Sequence, residues 1–238
     1  MKECRYEYMF PKDFVKAIQE CPVFIVPTGL LEWHADHLPL GQDALKAYGI
    51  CSKAAEKLGG GIVLPVNYFG CPGYSTYVGT LTYSEECLRP LFLEYMGQLK
   101  KVGAKVIVII TGHYGKCQVD FIKEVAQAFE SENPEITVIA RPEYEDVLVD
   151  GQVPGDHAGK WETSMFWHLY PANVKMNEYR TVIDDMKCYE NAPLDYYKES
   201  VHWDFNADLT QISSPELGEK AIGIITDKLV ADIKKALQ

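Results

Sequence analysis

VIVII at residues 106–110, followed at once by TGHYG at residues 111–115, decides the fold class of this chain. The apolar run is continuous rather than alternating, as is typical of a strand covered on both faces. Such a strand belongs inside a mainly parallel sheet between layers of helices. The turn that follows holds His113 between two glycines, at the carboxyl end of the strand, where open parallel sheets bind ligands.

The segments on either side repeat this alternation of strand and helix. Short apolar runs at residues 23–26, 62–64 and 137–140 predict three more strands. Helices are predicted at residues 43–58, from the cap Ser84 onward through Pro90, at 116–129, at 161–170, and at the C-terminus with Ile222, Ile225, Leu229 and Ile233 on one side. The alternation predicts right-handed βαβ units and one α/β domain over residues 1–238.

Composition excludes several classes of protein. With 238 residues and 47% apolar residues, the chain can build a full core. Its formal charge of −11 argues against nucleic-acid partners and against docking on anionic membranes. No apolar run is long enough to cross a bilayer, and the first ten residues lack the apolar core of a signal peptide. Seven scattered cysteines without a C-x-x-C motif predict reduced thiols and a cytoplasmic location.

The irregular segment 184–206 is rich in aromatic residues, namely Tyr189, Tyr196, Tyr197, Trp203 and Phe205. A surface loop packed by its own aromatics is the favoured interpretation, and a lid or a subunit contact is the alternative. Because large exposed apolar patches usually mark contacts, this segment also predicts a homo-oligomer.

Polar residues gather directly after the strand at residues 23–26. Glu32 and His34 are two apart, so in extended chain they point the same way. Asp43 opens the next helix and can turn back toward them. One imidazole and two carboxylates suit a divalent metal. Alternatively, Asp43 only caps its helix and His34 is an ordinary buried histidine.

Two more segments place histidines at strand ends. One is the turn with His113, and the other is GDHAGKWETS at residues 155–164, with His157 in a glycine-rich turn and Glu162 in the first turn of a helix. Taken alone, each fits an ordinary turn or helix cap. Four of the six histidines lie in these three segments, and this clustering favours a metal site. A Cys–His pair of Cys117 with His113 stays open, although a thiol there is equally typical of core filling.

Other catalytic signatures are absent from the sequence. It has no G-x-x-x-x-G-K-[ST], no G-x-G-x-x-G after a strand, no H-E-x-x-H and no G-x-S-x-G.

Together the motifs resemble those of the creatininase (creatinine amidohydrolase) family. PTGLLEWHADHLPLGQD at residues 27–43 is similar to the leading signature of the family, TGHYG to its Gly-His turn, and GDHAGKWETS to its His-Ala-Gly…Glu-Thr-Ser motif. GTLT at residues 79–82 is similar to its Pro-Gly-Thr segment, with Val78 in place of the usual Pro. The matches run in family order from about residue 22 to residue 171.

The resemblance implies a three-layer α/β/α fold with a mostly parallel central sheet, often assembled as a homo-oligomer, commonly a hexamer. It implies one or two divalent ions, typically Zn²⁺, Mn²⁺ or Fe²⁺, and hydrolysis of a non-peptide or cyclic amide C–N bond in a small-molecule substrate. Matched residue by residue, the metal ligands are Glu32, His34, Asp43 (bridging) and His113. His157 matches the catalytic histidine, and Glu162 matches the acid that closes the site, as ligand or as base.

Departures from the family pattern concern the substrate. Creatinine-hydrolysing members carry a Glu two residues after the histidine of the Gly-His turn, where this chain has Gly115, and Lys116 replaces an Asn common in other members. No Trp lies between Gly115 and Gly159, where the creatinine enzymes hold their substrate. We therefore expect a substrate other than creatinine. Formamidopyrimidine deformylases and a peptide-trimming maturase are members with other substrates.

The chemistry expected of this residue set is hydrolysis by metal-activated water. A divalent ion lowers the pKa of a bound water toward about 7, and a bridging carboxylate can hold two ions roughly 3.5–4 Å apart. His157 is the best proton donor for the leaving nitrogen. The alternative is a non-catalytic metal-binding or small-molecule-binding protein built on a decayed site.

Overall fold

A computed structural model describes residues 3–189 and 202–238 of the chain. Its main sheet has the order β2-β1-β3-β4, with every neighbouring pair parallel. The strands are β1 (Val23–Thr28), β2 (Ile62–Val63), β3 (Val106–Thr111) and β4 (Thr137–Pro142). As predicted from its unbroken apolar run, β3 lies inside the sheet and every residue in it is buried.

The helices fill the intervals between the strands, as the alternation predicts. They are α1 (Pro11–Glu20), α2 (Gln42–Leu58), α3 (Glu85–Lys101), α4 (Lys116–Glu132), α5 (Lys160–Leu169), α6 (Leu209–Ile212) and α7 (Pro215–Ala236). Short 3₁₀ turns span Tyr6–Tyr8, Pro171–Asn173 and Met176–Glu178. A separate two-stranded antiparallel ribbon pairs β5 (Val182–Ile183) with β6 (Trp203–Asp204). None of the helices in the described ranges is long and apolar enough to cross a membrane.

Successive strand residues point into two different cores, one on each side of the sheet. Phe24 and Ile107 pack in the cluster formed with α1, α3 and α4. Val23 and Val108 pack in the opposite cluster, formed with α2 and α7. Successive side chains of a strand point to opposite faces of the sheet, and here both faces are covered by helices. The three-layer α/β/α architecture is therefore confirmed. A single domain over residues 1–238 stays a prediction.

Most predicted element boundaries agree with the structure to within a few residues. The Ser84 hydroxyl accepts a hydrogen bond from the Cys87 N–H, as expected of a helix cap, and α3 continues through Pro90. The strand predicted at 62–64 ends at Val63 instead, although the Leu64 N–H still donates to the Ile25 carbonyl at 2.8 Å. Pro65 follows, and a proline has no N–H with which to extend the ladder.

Strand register aligns the carboxyl ends of the three longer strands. Thr28 pairs with Thr111, and Thr111 pairs with Pro142. The segments that leave these strands therefore emerge side by side at one edge of the sheet. That edge brings the polar segments of the sequence together.

Candidate metal centre

A pocket of about 370 Å³ opens at the carboxyl edge of the sheet. Five of the six predicted site residues line it, namely Glu32, Asp43, His113, His157 and Glu162. The sixth, His34, lies buried behind them, in contact with Asp43 and Glu162. The fold thus brings together residues that lie up to 130 positions apart in the sequence.

Asp43 lies between two clusters of donor atoms. One of its oxygens, Oδ1, is 2.9 Å from Nε2 of His34, and the other, Oδ2, is 3.3 Å from Nδ1 of His113. Asp43 is the second residue of α2, whereas Gly41 holds the N-cap position. Its carboxylate therefore faces the two imidazoles and does not cap the helix.

Each cluster contains three donors that could hold one ion. The first consists of Glu32, Asp43 and His113, and the second of His34, Asp43 and Glu162. Within each cluster the donor atoms lie no more than 4.8 Å apart. Because Asp43 belongs to both, the predicted ligands fall into two overlapping donor clusters.

The hydrogen bonding of His34 requires either a proton or a metal ion between its ring and two carboxylates; burial lowers the pKa of the ring, but the charges of Asp43 and Glu162 outweigh this and raise it. Its Nδ1 lies 3.0 Å from the carbonyl oxygen of Glu32. A carbonyl can only accept, so Nδ1 carries the hydrogen and the neutral ring has a lone pair on Nε2. That lone pair faces carboxylate oxygens of Asp43 and Glu162, at 2.9 and 3.4 Å. Such an arrangement of acceptors needs a proton or a metal ion between them.

Several buried polar atoms of the pocket also lack a hydrogen-bond partner. They include Glu32 Oε2, Asp43 Oδ2, His113 Nε2 and His157 Nε2. Unsatisfied buried polar atoms are rare because each costs free energy. Their concentration around one pocket, in a set of imidazoles and carboxylates, fits a divalent metal centre.

The charged groups of the pocket shift one another's pKa. Burial lowers the pKa of His113, but the carboxylates of Glu32 and Asp43 outweigh this and raise it to about 10. Burial raises the pKa of Glu162, yet the charges of Lys46 and His34 bring it down to about 2. The pKa of His157 falls to about 4, chiefly through burial and secondly through the charge of His34.

Glu162 is oriented by the turn that precedes α5. Asp156 caps this helix, since its carboxylate accepts hydrogen bonds from the N–H groups of Trp161 and Glu162, at 2.8 and 3.1 Å. The N–H of Ala158, a residue with φ of 50°, donates to Glu162 Oε2 at 2.8 Å. A left-handed alanine is strained, and such strain is common at functional sites. Asp156 therefore caps α5, so the Glu162 carboxylate does not serve as the cap and faces the pocket.

The approach of Glu32 to His113 requires a glycine at position 73. A Cβ atom built on Gly73 would lie 1.9 Å from Glu32 Oε1 and 2.5 Å from His113 Cε1. The next residue, Tyr74, donates its N–H to the same Glu32 oxygen at 2.7 Å. The 73–74 backbone therefore forms one wall of the pocket and positions Glu32 directly.

Sequence analysis missed a buried polar network behind the pocket. The ammonium of Lys46 lies 2.8 Å from Glu162 Oε1, 3.0 Å from Glu143 Oε1 and 2.5 Å from the Tyr114 hydroxyl. Burial raises the pKa of Glu143 to about 7. Glu143 follows β4 directly, so the rule that selected the other strand ends could have found it.

Aromatic rings surround His157 on the pocket wall. Ring centroids of Tyr74 and Trp203 lie 4.3 and 5.5 Å from that of His157. Trp203 belongs to segment 184–206, so the described end of this segment packs beside the pocket. Trp203 packs against Phe205 of its own segment, as expected of a self-packed loop, and also against Trp33 and Tyr74 outside it. Tyr196 and Tyr197 of the same segment lie outside the described residues.

Lys116 is exposed at the rim of the pocket, where it pairs with Asp120.

Comparison with known proteins identifies relatives of the chain. The family model described as "Creatininase: Creatinine amidohydrolase" matches residues 7–233. A "Mycofactocin precursor peptide peptidase" of Mycolicibacterium smegmatis is 29% identical over 182 residues, which are 73% of this chain and 65% of the relative. A "Creatinine amidohydrolase" of Pseudomonas putida is 23% identical over 175 residues, 65% of this chain and 67% of the relative. The matched part thus spans less than two thirds of the mycofactocin relative.

Solved structures share the fold. A crystal structure of a creatinine amidohydrolase (creatininase) superposes with a TM-score of 0.80 at 20% identity, covering 99% of this chain and 98% of that one. Two further structures of this fold, with TM-scores of 0.74 and 0.73, are described as a "Zn-Zn type" mutant creatininase and as "Creatininase Mn". They are 21% and 22% identical to this chain, and each match covers at least 98% of both chains.

Proposed function

The chain belongs to the creatininase family, and we propose that it is a metal-dependent amidohydrolase that cleaves a non-peptide or cyclic amide C–N bond. This proposal rests on the two donor clusters that share Asp43. Nitrogen and carboxylate donors without sulfur suit Zn²⁺, Mn²⁺ or Fe²⁺. The Zn and Mn forms of structurally similar creatininases support the same choice.

The two clusters define which residues would hold metal. Glu32, Asp43 and His113 would hold one ion, and His34, Asp43 and Glu162 a second, with Asp43 as the bridge. When bound, a divalent ion there would polarise the scissile carbonyl and lower the pKa of a water ligand. The interaction of Glu162 with Lys46 keeps the carboxylate ionised and turned toward His34.

His157 is suited to moving the proton that amide cleavage requires. Its ring stands on the pocket wall with 18% of the side chain exposed, and its Nδ1 lies 3.7 Å from Glu32 Oε2. It can therefore contact a substrate while remaining beside the metal ligands. In the proposed reaction His157 accepts a proton from the attacking water and passes it to the leaving nitrogen.

Creatinine itself is disfavoured as the substrate. Gly115 stands on the pocket rim where creatinine-hydrolysing members carry a carboxylate. A Cβ at this position would lie 2.8 Å from His113 Nε2, so a larger residue would require His113 or the backbone to shift. Tyr74 and Tyr144 add flat aromatic walls, which suit a planar amide.

A longer, peptide-like substrate is the second candidate. A groove of about 270 Å³, lined in part by Trp203, Phe205 and Leu209, shares Asp156 and His157 with the catalytic pocket. A substrate could therefore extend past His157 on both sides. The 29% identical relative named a precursor peptide peptidase favours the same candidate.

The proposal also includes a cytoplasmic location and a homo-oligomeric assembly of the chain. A cytoplasmic location, proposed from seven scattered cysteines without a C-x-x-C motif, stays a prediction. A homo-oligomer, with a hexamer suspected from the family, stays a prediction.

The test is a screen of metal-loaded protein against a cyclic amide, a formamide, an unblocked peptide and creatinine. We expect turnover of at least one amide other than creatinine, abolished by a chelator and restored by Zn²⁺ or Mn²⁺. Asp43→Asn should be inactive, whereas Asp36→Asn, which changes an exposed carboxylate paired with Arg180, should retain activity. Metal binding without turnover of any amide in the panel would favour the alternative of a non-catalytic binding protein.

A further inference from the structure

A further group of metal-ligating side chains lies outside the catalytic pocket, against the core covered by α3 and α4. It consists of Cys71, Glu85 and Cys117. Cys71 follows β2 in an irregular turn, Glu85 is the first residue of α3, and Cys117 is the second residue of α4. Their donor atoms all lie within 4.8 Å of one another. Three segments that are distant in sequence thus present two thiols and a carboxylate at one point.

The spacing of these donors fits a tetrahedral ion. Zinc–sulfur and zinc–oxygen bonds of about 2.3 and 2.0 Å give tetrahedron edges of about 3.8 Å between sulfurs and about 3.5 Å between sulfur and oxygen. The observed distance from Cys117 Sγ to Glu85 Oε1 is 3.6 Å. This distance matches the sulfur–oxygen edge, and the other two donor distances lie within 4.8 Å.

We propose that Cys71, Glu85 and Cys117 form a binding site for a thiophilic divalent cation of the Zn²⁺ or Cd²⁺ type, separate from the catalytic centre. Binding displaces one proton from each thiol, and water completes the coordination. Cys117 lies in the first turn of the 17-residue helix α4. Burial raises the pKa of the Cys71 thiol, and the neighbouring Cys117 and Glu85 add to this, so the binding cation must displace the proton of Cys71. Glu85 is exposed and Cys117 half-buried, so the ion can reach the site from solvent.

An ion at this site would also stabilise the wall of the catalytic pocket. The Cys71 N–H donates to Gln118 Oε1 at 2.8 Å, which already connects the turn to α4. The same turn continues to Tyr74, whose N–H holds Glu32 Oε1. The cation would thus connect α3 and α4 to the backbone that positions Glu32. This inference does not depend on the proposed amidohydrolase activity.

The donor types make the site measurable in the presence of catalytic metal. Glu32, His34, Asp43, His113 and Glu162 include no sulfur, so an ultraviolet thiolate-to-cadmium charge-transfer band reports on cysteines and not on the proposed catalytic ligands. Zinc-loaded protein, kept reduced with a phosphine, is titrated with Cd²⁺, because a softer ion is preferred by thiolates. We expect the band to saturate at about one equivalent per chain and the thermal unfolding temperature to rise.

Matched variants separate this site from other thiols. Cys117→Ser should remove the band and the rise in unfolding temperature, and Glu85→Gln should keep the band but raise the half-saturating Cd²⁺ concentration several-fold. Cys87→Ser, which changes an exposed cysteine of the same α3 helix, should behave as wild type. The absence of any band, or an undiminished band in Cys117→Ser at the wild-type Cd²⁺ concentration, would overturn the proposal.

Discussion

The ammonium group of Lys46 lies 2.8 Å from Oε1 of Glu162, and neither side chain reaches solvent. Asp43 and Lys46 are one turn apart on α2, so a single helix supplies both the carboxylate shared by the two donor clusters and the cation that faces Glu162. Glu143 Oε1, at 3.0 Å from the same ammonium, is the other buried carboxylate of the network. We therefore propose Lys46 as a positioning residue for the candidate metal centre.

Replacement of Lys46 should destabilise the metal-free protein strongly. In Lys46→Met, Glu143 and Glu162 stay buried without a cation, and breaking a buried ion pair from one side costs about 3–5 kcal/mol. Urea denaturation of metal-free protein measures the loss. Lys116→Met, which removes a side chain that is 87% exposed, should change the free energy of unfolding by less than about 0.5 kcal/mol. Equal stability of the two variants would contradict this role of Lys46.

The sequence predicted the polar residues near strand ends and those in the first turns of helices, such as Asp43 and Glu162, but not Lys46, which lies deeper in α2. Glu32, His113 and His157 stand in segments where a functional side chain is expected at the sheet edge. Lys46 lies within a helix, where a lysine ordinarily points to solvent. Its burial depends on Glu143, almost 100 residues away, and no local pattern encodes that contact.

The order of the strands in the sheet likewise could not be predicted from the sequence. Apolar runs identified the four strands of the main sheet but not β5 and β6, and predicted an interior position for β3, which the structure confirms. The neighbours of each strand depend on which helices pack on which face, and this is decided by long-range contacts. Trp203 illustrates the same limit, because its place beside His157 follows from the pairing of β6 with β5 and not from the aromatic composition of its segment.

Gly73→Ala should disrupt the metal centre. The added Cβ would lie 1.9 Å from Glu32 Oε1, so Glu32 or the 73–74 backbone must move. We expect the bound metal to fall by at least one equivalent, as measured by elemental analysis of purified protein. Gly97→Ala is the matched control, since its Cβ meets no atom within 4 Å in the interior of α3. That change should keep the metal and raise stability by about 0.5–1 kcal/mol.

Substitution of Asp43 should lower the metal content of the protein more than substitution of Glu162. Asp43 belongs to both donor clusters, so Asp43→Asn should lower metal content at both. Glu162 belongs to one of these clusters, so Glu162→Gln should leave the ion held by Glu32, Asp43 and His113. Metal analysis after equilibration with excess Zn²⁺ distinguishes the variants. Full wild-type metal content in Glu162→Gln, with slower turnover, would instead make Glu162 a base and not a ligand.

Light scattering tests the predicted assembly. Tyr189, with 44% of its surface exposed, is one of the aromatics of segment 184–206 that would be poorly suited to a free surface. We expect a mass that is a multiple of 26.9 kDa at micromolar concentration. A monomer mass under these conditions would exclude the homo-oligomer.

His157→Ala should separate catalysis from metal binding. His157 Nδ1 lies 3.7 Å from Glu32 Oε2, farther than the 3.1 Å between that oxygen and His113, and its ring borders the open pocket. Its loss should leave metal content unchanged and lower turnover by about 10²–10⁴-fold, the usual contribution of a general acid or base. His168→Ala, in α5 but outside the pocket, is the control and should keep wild-type turnover. Wild-type turnover by His157→Ala would remove this histidine from the mechanism. His157 also forms a potential donor cluster with Glu32 and His34. Loss of metal in His157→Ala would therefore make His157 a ligand.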